Sequence, residues 1–281
     1  MKVLLIVNEH KPASIALAAE IRETLDRRGY AVDEYSFNGG RIENAGFDAA
    51  FSLGGDGTVL FAARTVAAWG VPIIPLNLGT LGFIASVHPS RWLAVFTELI
   101  DGKLSISERL MLDVRVERGG DTVFALTGLN DTVISASGIA KTIRLEAWTE
   151  DTHIGSYRSD GLIAATPTGS TAYSASAGGP IIDPEIEAVI LNPICPFTLL
   201  YRPVVLPASR PVTINIGPEQ GSGVLLTVDG QVTETLEPGD VVMIRQSANK
   251  ARLAACDRST FYRALQNKLA FVSAGNGRRD A

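Results

Sequence analysis

Three glycines surround one aspartate in Leu53-Gly54-Gly55-Asp56-Gly57-Thr58. Glycines let a backbone approach a ligand closely and turn its amides toward phosphate oxygens, and a helix starting near Thr58 adds its positive end. The aspartate is the odd element, because a carboxylate beside phosphates is repulsive unless it handles a proton or a metal. Aimed at a sugar hydroxyl, it can accept the hydroxyl proton as the oxygen attacks a terminal phosphoryl group, help worth roughly 10²- to 10⁴-fold in rate. The competing explanation is an Asx-type turn in which Asp56 caps the following helix. Other phosphate loops are missing. No Gly-x-x-x-x-Gly-Lys-Ser/Thr occurs, since Lys141-Thr142 follows Ala140, and no Gly-x-Gly-x-x-Gly occurs either.

Four further segments carry chemical potential. Asn77-Leu78-Gly79-Thr80-Leu81-Gly82-Phe83 offers an amide side chain, two glycines and an aromatic. It reads as a strand-to-helix turn with Phe83 in the core or, beside the first loop, as a phosphate loop whose Phe83 stacks on a purine. Asn130-Asp131 reads as a hairpin turn or as a site, with an amide able to read a base edge and a carboxylate able to accept from ribose hydroxyls. The run from Arg158 through Asp160-Gly161 and Thr166-Pro167-Thr168-Gly169-Ser170-Thr171-Ala172-Tyr173 to Gly178-Gly179-Pro180 is rich in hydroxyls and small side chains. A flexible linker does not explain it, because residues 162–165 are strand-like and residues 172–177 suit a helix. It fits a surface on which a polar ligand lies against backbone, with Thr171 and Ser176 as donors, Tyr173 as a flat wall and Asp160 as acceptor from an amide. Val228-Asp229-Gly230-Gln231 reads as a hairpin turn from which Gln231 can reach a ligand. His10, His88 and His153 are isolated and show no metal-ligand spacing, so no protein metal site is expected.

The elements that must position these loops alternate in period. Residues 3–7, 31–35, 48–53 and 71–76 read as strands, and residues 15–28, 58–69 and 89–100 as helices, the first stopped by Gly29. This alternation predicts a parallel α/β sheet in which both glycine loops, at strand carboxyl ends, line one crevice. After about residue 103 the segments 111–117, 122–126, 132–136, 142–148, 212–216, 224–228 and 241–246 are short, β-branched and separated by Gly or Asp turns, which predicts a β-rich second domain. Residues 259–271 return to helical spacing, with Phe261, Leu265 and Leu269 four apart. The expected division is therefore 1–102 (α/β, nucleotide-binding), 103–250 (β-rich) and 251–281, a segment packing back on the first domain and fraying over 275–281.

Bulk properties narrow the class. A chain of 281 residues, 46% hydrophobic and 20% charged, has material for two cores sharing a cleft. A net charge of −5 with scattered basic residues argues against a nucleic-acid binder, leaving anions to be held by local groups. Cys195 and Cys256 form no metal-type pair, and a reducing, cytoplasmic setting fits. The apolar N-terminal run ends at Asn8, Glu9 and His10, too soon for a signal-peptide core or membrane span, so no membrane partner is expected.

Taken together, these pieces closely resemble the NAD kinase family. The matches are Gly54-Gly55-Asp56-Gly57-Thr58, the loop from Asn77 to Phe83, Asn130-Asp131, and above all Thr166-Pro167-Thr168-Gly169-Ser170-Thr171-Ala172-Tyr173 with its flanks. The first motif also resembles diacylglycerol kinases, sphingosine kinases and phosphofructokinases, whereas the long run is specific. The resemblance implies a Rossmann-like α/β N-terminal domain with a parallel sheet, a β-rich C-terminal domain, a homo-oligomer of two or four subunits, and a divalent metal, usually magnesium, carried in with ATP. It implies phosphorylation of the adenosine-ribose 2′-hydroxyl of NAD to give NADP. Asp56 then resembles the proton acceptor, with Gly54, Gly55, Gly57, Thr58, Asn77 and Gly79 around the phosphates. Phe83, Asn130, Thr171 and Tyr173 resemble adenosine contacts, Asp131 a ribose contact and Asp160 the nicotinamide contact. Arg158, Thr168, Ala172, Ser176 and Gln231 complete the expected NAD-binding set. Two positions depart from the family: Asp131 stands where many members have Glu, a side chain one methylene longer, and Phe197 stands where a Pro-His-Thr-Leu run often places His. Without catalysis the same pocket would make a nucleotide sensor, and with an apolar acyl channel a lipid kinase.

Overall fold

Val3 to Val7 are each no more than 1% exposed, and a run buried on both faces marks a central strand of a parallel sheet. In the computed structural model, which describes residues 1–37, 42–79, 82–138, 141–198 and 200–275 (without the side chains of 269–275), Lys2–Val7 is that strand. The sheet runs Ala31–Ser36, Lys2–Val7, Ala49–Gly54, Ile73–Asn77, Ala251–Ala254, Ile106–Arg109. Its pairs as far as Ala251–Ala254 are parallel. Leu17, Ala18, Ile21 and Leu25 of the helix Pro12–Arg27, with Trp92, Val95 and Phe96 of the helix Trp92–Ile100, cover the face carrying Val3, Leu5, Phe51 and Leu53. The alternate residues Leu4, Ile6, Ala50 and Ile73 are equally buried, and the helix Asp56–Val66 packs on the same strands with Val59, Ala62, Ala63 and Val66 fully enclosed. A doubly wound sheet of this order has its topological switch between Lys2–Val7 and Ala49–Gly54, where ligands bind outside the strand carboxyl ends.

The chain divides into two compact units, Met1–Glu108 with Ala251–Ala281, and Arg109–Lys250. The late return is a strand and a helix: Leu253 pairs with Ile73, and Asp257 starts the helix Arg258–Gly275 by accepting from the Thr260 amide at 2.9 Å. Phe261 of this helix is 4% exposed and Leu265 is half-buried. Leu269, third of the expected apolar positions, has a side chain outside the described residues, as do residues 276–281 at the expected frayed end.

The second unit is two six-stranded antiparallel sheets around one core. One runs Thr152–Ser159, Ile143–Thr149, Val212–Ile216, Val241–Gln246, Leu112–Arg118, Asp121–Gly128. The other runs Val204–Pro207, Ala188–Ile194, Gly161–Ala165, Asp131–Ala136, Val224–Val228, Val232–Leu236. Alternate residues of both, among them Val114, Leu145, Ile214 and Ile244 from the first and Ile134, Leu162, Leu191 and Leu226 from the second, make the shared core. The second sheet also buries its other face, where Val133, Ile163, Ala165 and Ile190 meet Ala177 and Ile182. Burial on both faces explains why residues 162–165 read as an unbroken apolar run.

Two local readings change. The helix expected from Thr58 begins at Asp56, and Gly55 rather than Asp56 is its N-cap, so the aspartate sits in the first helical turn and does not cap it. Asn130-Asp131 is not a hairpin turn. Asp121–Gly128 belongs to one sheet and Asp131–Ala136 to the other, so these residues carry the chain across the core.

Candidate active site

In the first unit, register brings three strand ends side by side: Val7 opposite Leu53, Leu53 opposite Leu76, and Gly54 opposite Asn77. Main-chain bonds continue past them, from the Asn8 amide to the Leu53 carbonyl at 3.1 Å and from the Leu78 amide to the Gly54 carbonyl at 2.9 Å. Ser14 ties the first loop down, donating to the Leu53 carbonyl at 2.6 Å and accepting from the Asn8 amide at 3.1 Å. Gly54 has no room for a side chain, because a β-carbon there would lie 2.1 Å from Thr58 Oγ1. Asn77 folds its own loop, its Oδ1 accepting from the Gly79 amide at 2.9 Å. Thus Gly54, Gly55, Gly57, Thr58, Asn77 and Gly79 gather at one edge, with Thr58 buried and Gly57 exposed. Thr80 and Leu81 of the second loop lie outside the described residues.

The carboxylate of Asp56 reaches the second loop. Its Oδ2 accepts from the Phe83 amide at 3.0 Å, and its Oδ1 from the amides of Ile84 at 3.3 Å and Ala85 at 2.8 Å. A β-carbon on Gly82 would sit 2.0 Å from Oδ1, so only glycine lets the loop come this close. Two carboxylate oxygens offer about four lone-pair positions. Among the described residues three are taken, and the one left is on Oδ2. Phe83 is half-buried, 6.0 Å from the ring of Phe261, with the Lys268 ammonium 4.2 Å from its centroid. Residues 84–86 are held by the returning segment as well: Cys256 Sγ meets the Ile84 carbonyl and Ser86 Oγ donates to the Ala255 carbonyl at 3.1 Å.

In the second unit a cleft of about 360 Å³ is lined by Asn130, Asp131, Val133, Ser135, Ala172, Tyr173, Thr227, Asp229 and Gly230. Asn130, Asp131, Ala172 and Tyr173 were expected there. Tyr173 is 47% exposed, a flat wall open to a ligand. The Asn130 Oδ1 is buried with no hydrogen-bond partner, the condition of an acceptor that a ligand donor completes. The long small-residue run packs flush beneath this cleft. Thr166 Oγ1 donates to the Leu129 carbonyl at 2.6 Å and accepts from the Gly169 amide at 3.0 Å. A β-carbon on Gly169 would lie 2.0 Å from the Asn130 carbonyl oxygen. Asn192 Nδ2 donates to the Ser174 carbonyl at 3.0 Å, fixing the short helix Tyr173–Ser176.

Asp229 and Gly230 lie at φ +53° and +64° in the turn between Val224–Val228 and Val232–Leu236, left-handed geometry that Asp-Gly tolerates. Sequence reasoning missed what Asp229 does there. Only 6% exposed, it accepts from the amides of Leu129 at 3.0 Å, Asn130 at 2.7 Å and Asp131 at 3.3 Å. Asp131 is 5% exposed, and burial, with the Asp229 carboxylate as a second cause, pushes its carboxyl up to about 7.

Other expected residues lie outside that lining. Thr168 is buried and its carbonyl accepts from Thr171 Oγ1 at 3.2 Å. Ser176 is exposed, and Asp160 and Gln231 are half-buried. Arg158 is exposed on Thr152–Ser159 with its guanidinium 4.4 Å from the ring centroid of Phe197, which is 71% exposed. Phe197, in place of the family's His, thus meets a cation with its π-face. Leu199 lies outside the described residues. Among the described residues, no group of three or more His, Cys, Asp or Glu is placed to hold a metal, and no helix is long and apolar enough to cross a membrane.

A doubly wound sheet with glycine loops at its switch point, followed by a β-sandwich bearing a cleft, defines a two-domain protein built for nucleotide phosphates. Family models of the ATP-NAD kinase N-terminal domain and C-terminal domain match residues 38–104 and 129–256. The NAD kinase of Treponema denticola is 41% identical over 271 residues, covering 95% of each chain, and that of Treponema pallidum is 40% identical over 281 residues, covering 99% of this chain and 92% of its own. The chain belongs to the ATP-NAD kinase family. Its fold is that of solved relatives: yeast NADH kinase complexed with NADH (TM-score 0.82, 22% identity, 100% of this chain and 89% of that one) and an NAD kinase from Archaeoglobus fulgidus in complex with ATP (TM-score 0.76, 24% identity, 96% and 99%).

Proposed function

We propose that this protein moves the γ-phosphoryl group of ATP onto the adenosine-ribose 2′-hydroxyl of NAD, producing NADP in the cytosol. The observation that carries the reading is the half-buried Asp56 carboxylate, oriented by three amides with a lone pair left on Oδ2. In this mechanism Oδ2 accepts the hydroxyl hydrogen, raising the nucleophilicity of the oxygen as it approaches phosphorus. The amides of Gly55 and Gly57, with the first turn of Asp56–Val66, face the phosphates and offset charge that builds on the transferring group. Gly54, Thr58, Asn77 and Gly79 shape that cradle, and Phe83 stacks on adenine.

The cleft of the second unit suits the acceptor. The orphan Asn130 Oδ1 receives a hydrogen from the adenine amino group, Tyr173 and Ala172 flank the base, and Asp131 accepts from ribose hydroxyls. Thr168, Thr171 and Ser176 line the path of the dinucleotide, and Arg158, Asp160 and Gln231 reach its nicotinamide half. Magnesium enters as part of the donor substrate, bound to the ATP phosphates. The working form is a homodimer or homotetramer.

Purified protein given NAD, ATP and magnesium should form NADP, followed by chromatography, with NAD preferred over diacylglycerol or sphingosine as acceptor. Phosphorylation of either lipid with none of NAD would replace the reading with a lipid kinase. Tight NAD binding without product, whatever the donor and metal, would replace it with a sensor.

A further inference from the structure

The switch point of the sheet holds a cation that the resemblance did not name. Lys11 is the N-cap of Pro12–Arg27, on the loop that follows the central strand Lys2–Val7. Its ammonium lies 3.6 Å from where a β-carbon of Gly55 would be, and 3.7 Å from the corresponding point at Gly79. The Nζ therefore stands within van der Waals reach of both glycine loops. Lys11 is half-buried, and among the described residues no carboxylate comes within ion-pair distance of it. Lys2, Lys103 and Lys250, by contrast, each pair with a carboxylate.

The electrostatics of the place make the arrangement stranger. Helix N-termini carry roughly half a positive charge, and a cation there is unfavourable. Lys11 sits at the start of Pro12–Arg27, which has no acidic residue in its first turn, and beside Gly55, the N-cap of Asp56–Val66. One ammonium and two helix starts thus converge where doubly wound sheets bind ligands. Asp56, the acid of this corner, has its carboxylate engaged by residues 83–85.

We propose that Lys11 is a phosphate-binding residue of this enzyme, its ammonium contacting the non-bridging oxygens of a nucleotide polyphosphate held between the Gly55 and Gly79 loops. A lysine acts here as a point charge, so it takes either a triphosphate or a pyrophosphate. The inference rests on the NAD kinase reading for the identity of the nucleotides, and on the local geometry alone for the phosphate.

The test compares the native protein with Lys11→Met and Lys11→Arg. Calorimetric titration with inorganic tripolyphosphate reads the phosphate contact without any turnover: Lys11→Met should weaken binding about tenfold or more, and Lys11→Arg should recover most of it. With turnover, a rise in KM for ATP alone assigns the lysine to the donor, and a rise for NAD alone assigns it to the acceptor pyrophosphate. Tripolyphosphate binding equal in native protein and Lys11→Met, at matched thermal stability, overturns the inference. Loss of tripolyphosphate binding in a protein that makes no NADP would keep the inference and reject the proposed function.

Discussion

Asp56 and Asp229 each gather three successive main-chain amides, those of residues 83–85 in the first unit and of residues 129–131 in the second. Each pins a loop that comes from far along the chain. Asp56 is half-buried and keeps a lone pair on Oδ2, so the group that fixes the loop is also free to meet a substrate. Asp229 is 6% exposed, in a left-handed turn, with its oxygens turned inward on amides, and after burial it is the second cause that raises the Asp131 carboxyl. The same device therefore serves two ends, and exposure decides which. An anchored carboxylate with an open lone pair can do chemistry, and a buried one holds its loop and adds to the effect of burial on its neighbour.

The comparison breaks most sharply at Asp229. Asp229→Ala leaves three buried amides without an acceptor and should cost about 3 kcal/mol of stability or more, read by denaturant unfolding. A loss below about 1 kcal/mol would mean that those bonds organise nothing. Asp131 gives a smaller effect with a definite pH signature. Its folded-state value, about 7, lies above the ordinary 3.8, so the folded protein binds the extra proton between those values. The neutral acid's contribution is full at low pH, and stability falls as pH rises toward 7. Asp131→Asn, an isostere of the neutral acid, should match the native protein near pH 4 and exceed it at pH 8 by on the order of 2 kcal/mol. Equal stability at both values would show that Asp131 is not held in that state.

The alternating strands and helices of the first unit and the glycine loops were legible because their signals are local. Continuous apolar runs, Gly29 after a helix and three glycines around Asp56 each announce a backbone requirement within a few residues. The long run ending at Gly178-Gly179-Pro180 reads in sequence as a surface for a ligand, yet residues 161–170 are buried and the reason for their small side chains is packing: Gly169 lies against the Asn130 carbonyl, and a β-carbon on Gly179 would lie 2.3 Å from Ser174 Oγ. What stayed hidden depends on partners distant in sequence. Asp229 looks like half of an Asp-Gly turn, which it is, and nothing nearby betrays its reach to residues 129–131. Lys11 follows a strand in an unremarkable polar stretch, and only the register of three strand ends puts it over Gly55 and Gly79. Asn130-Asp131 carried a turn signal that the crossing between sheets overrode.

The central claim is that the Oδ2 lone pair of Asp56 takes the proton of the ribose hydroxyl. Asp56→Asn keeps an Oδ1 acceptor for Ile84 and Ala85 while removing the charge and the acceptor of the Phe83 amide, so unchanged thermal stability and NAD affinity serve as the check that the loop survives. With saturating NAD and magnesium-ATP, kcat for NADP formation should fall about 10²-fold or more, while the Kd for NAD by calorimetry changes less than about twofold. Turnover equal to that of the native protein would contradict the account.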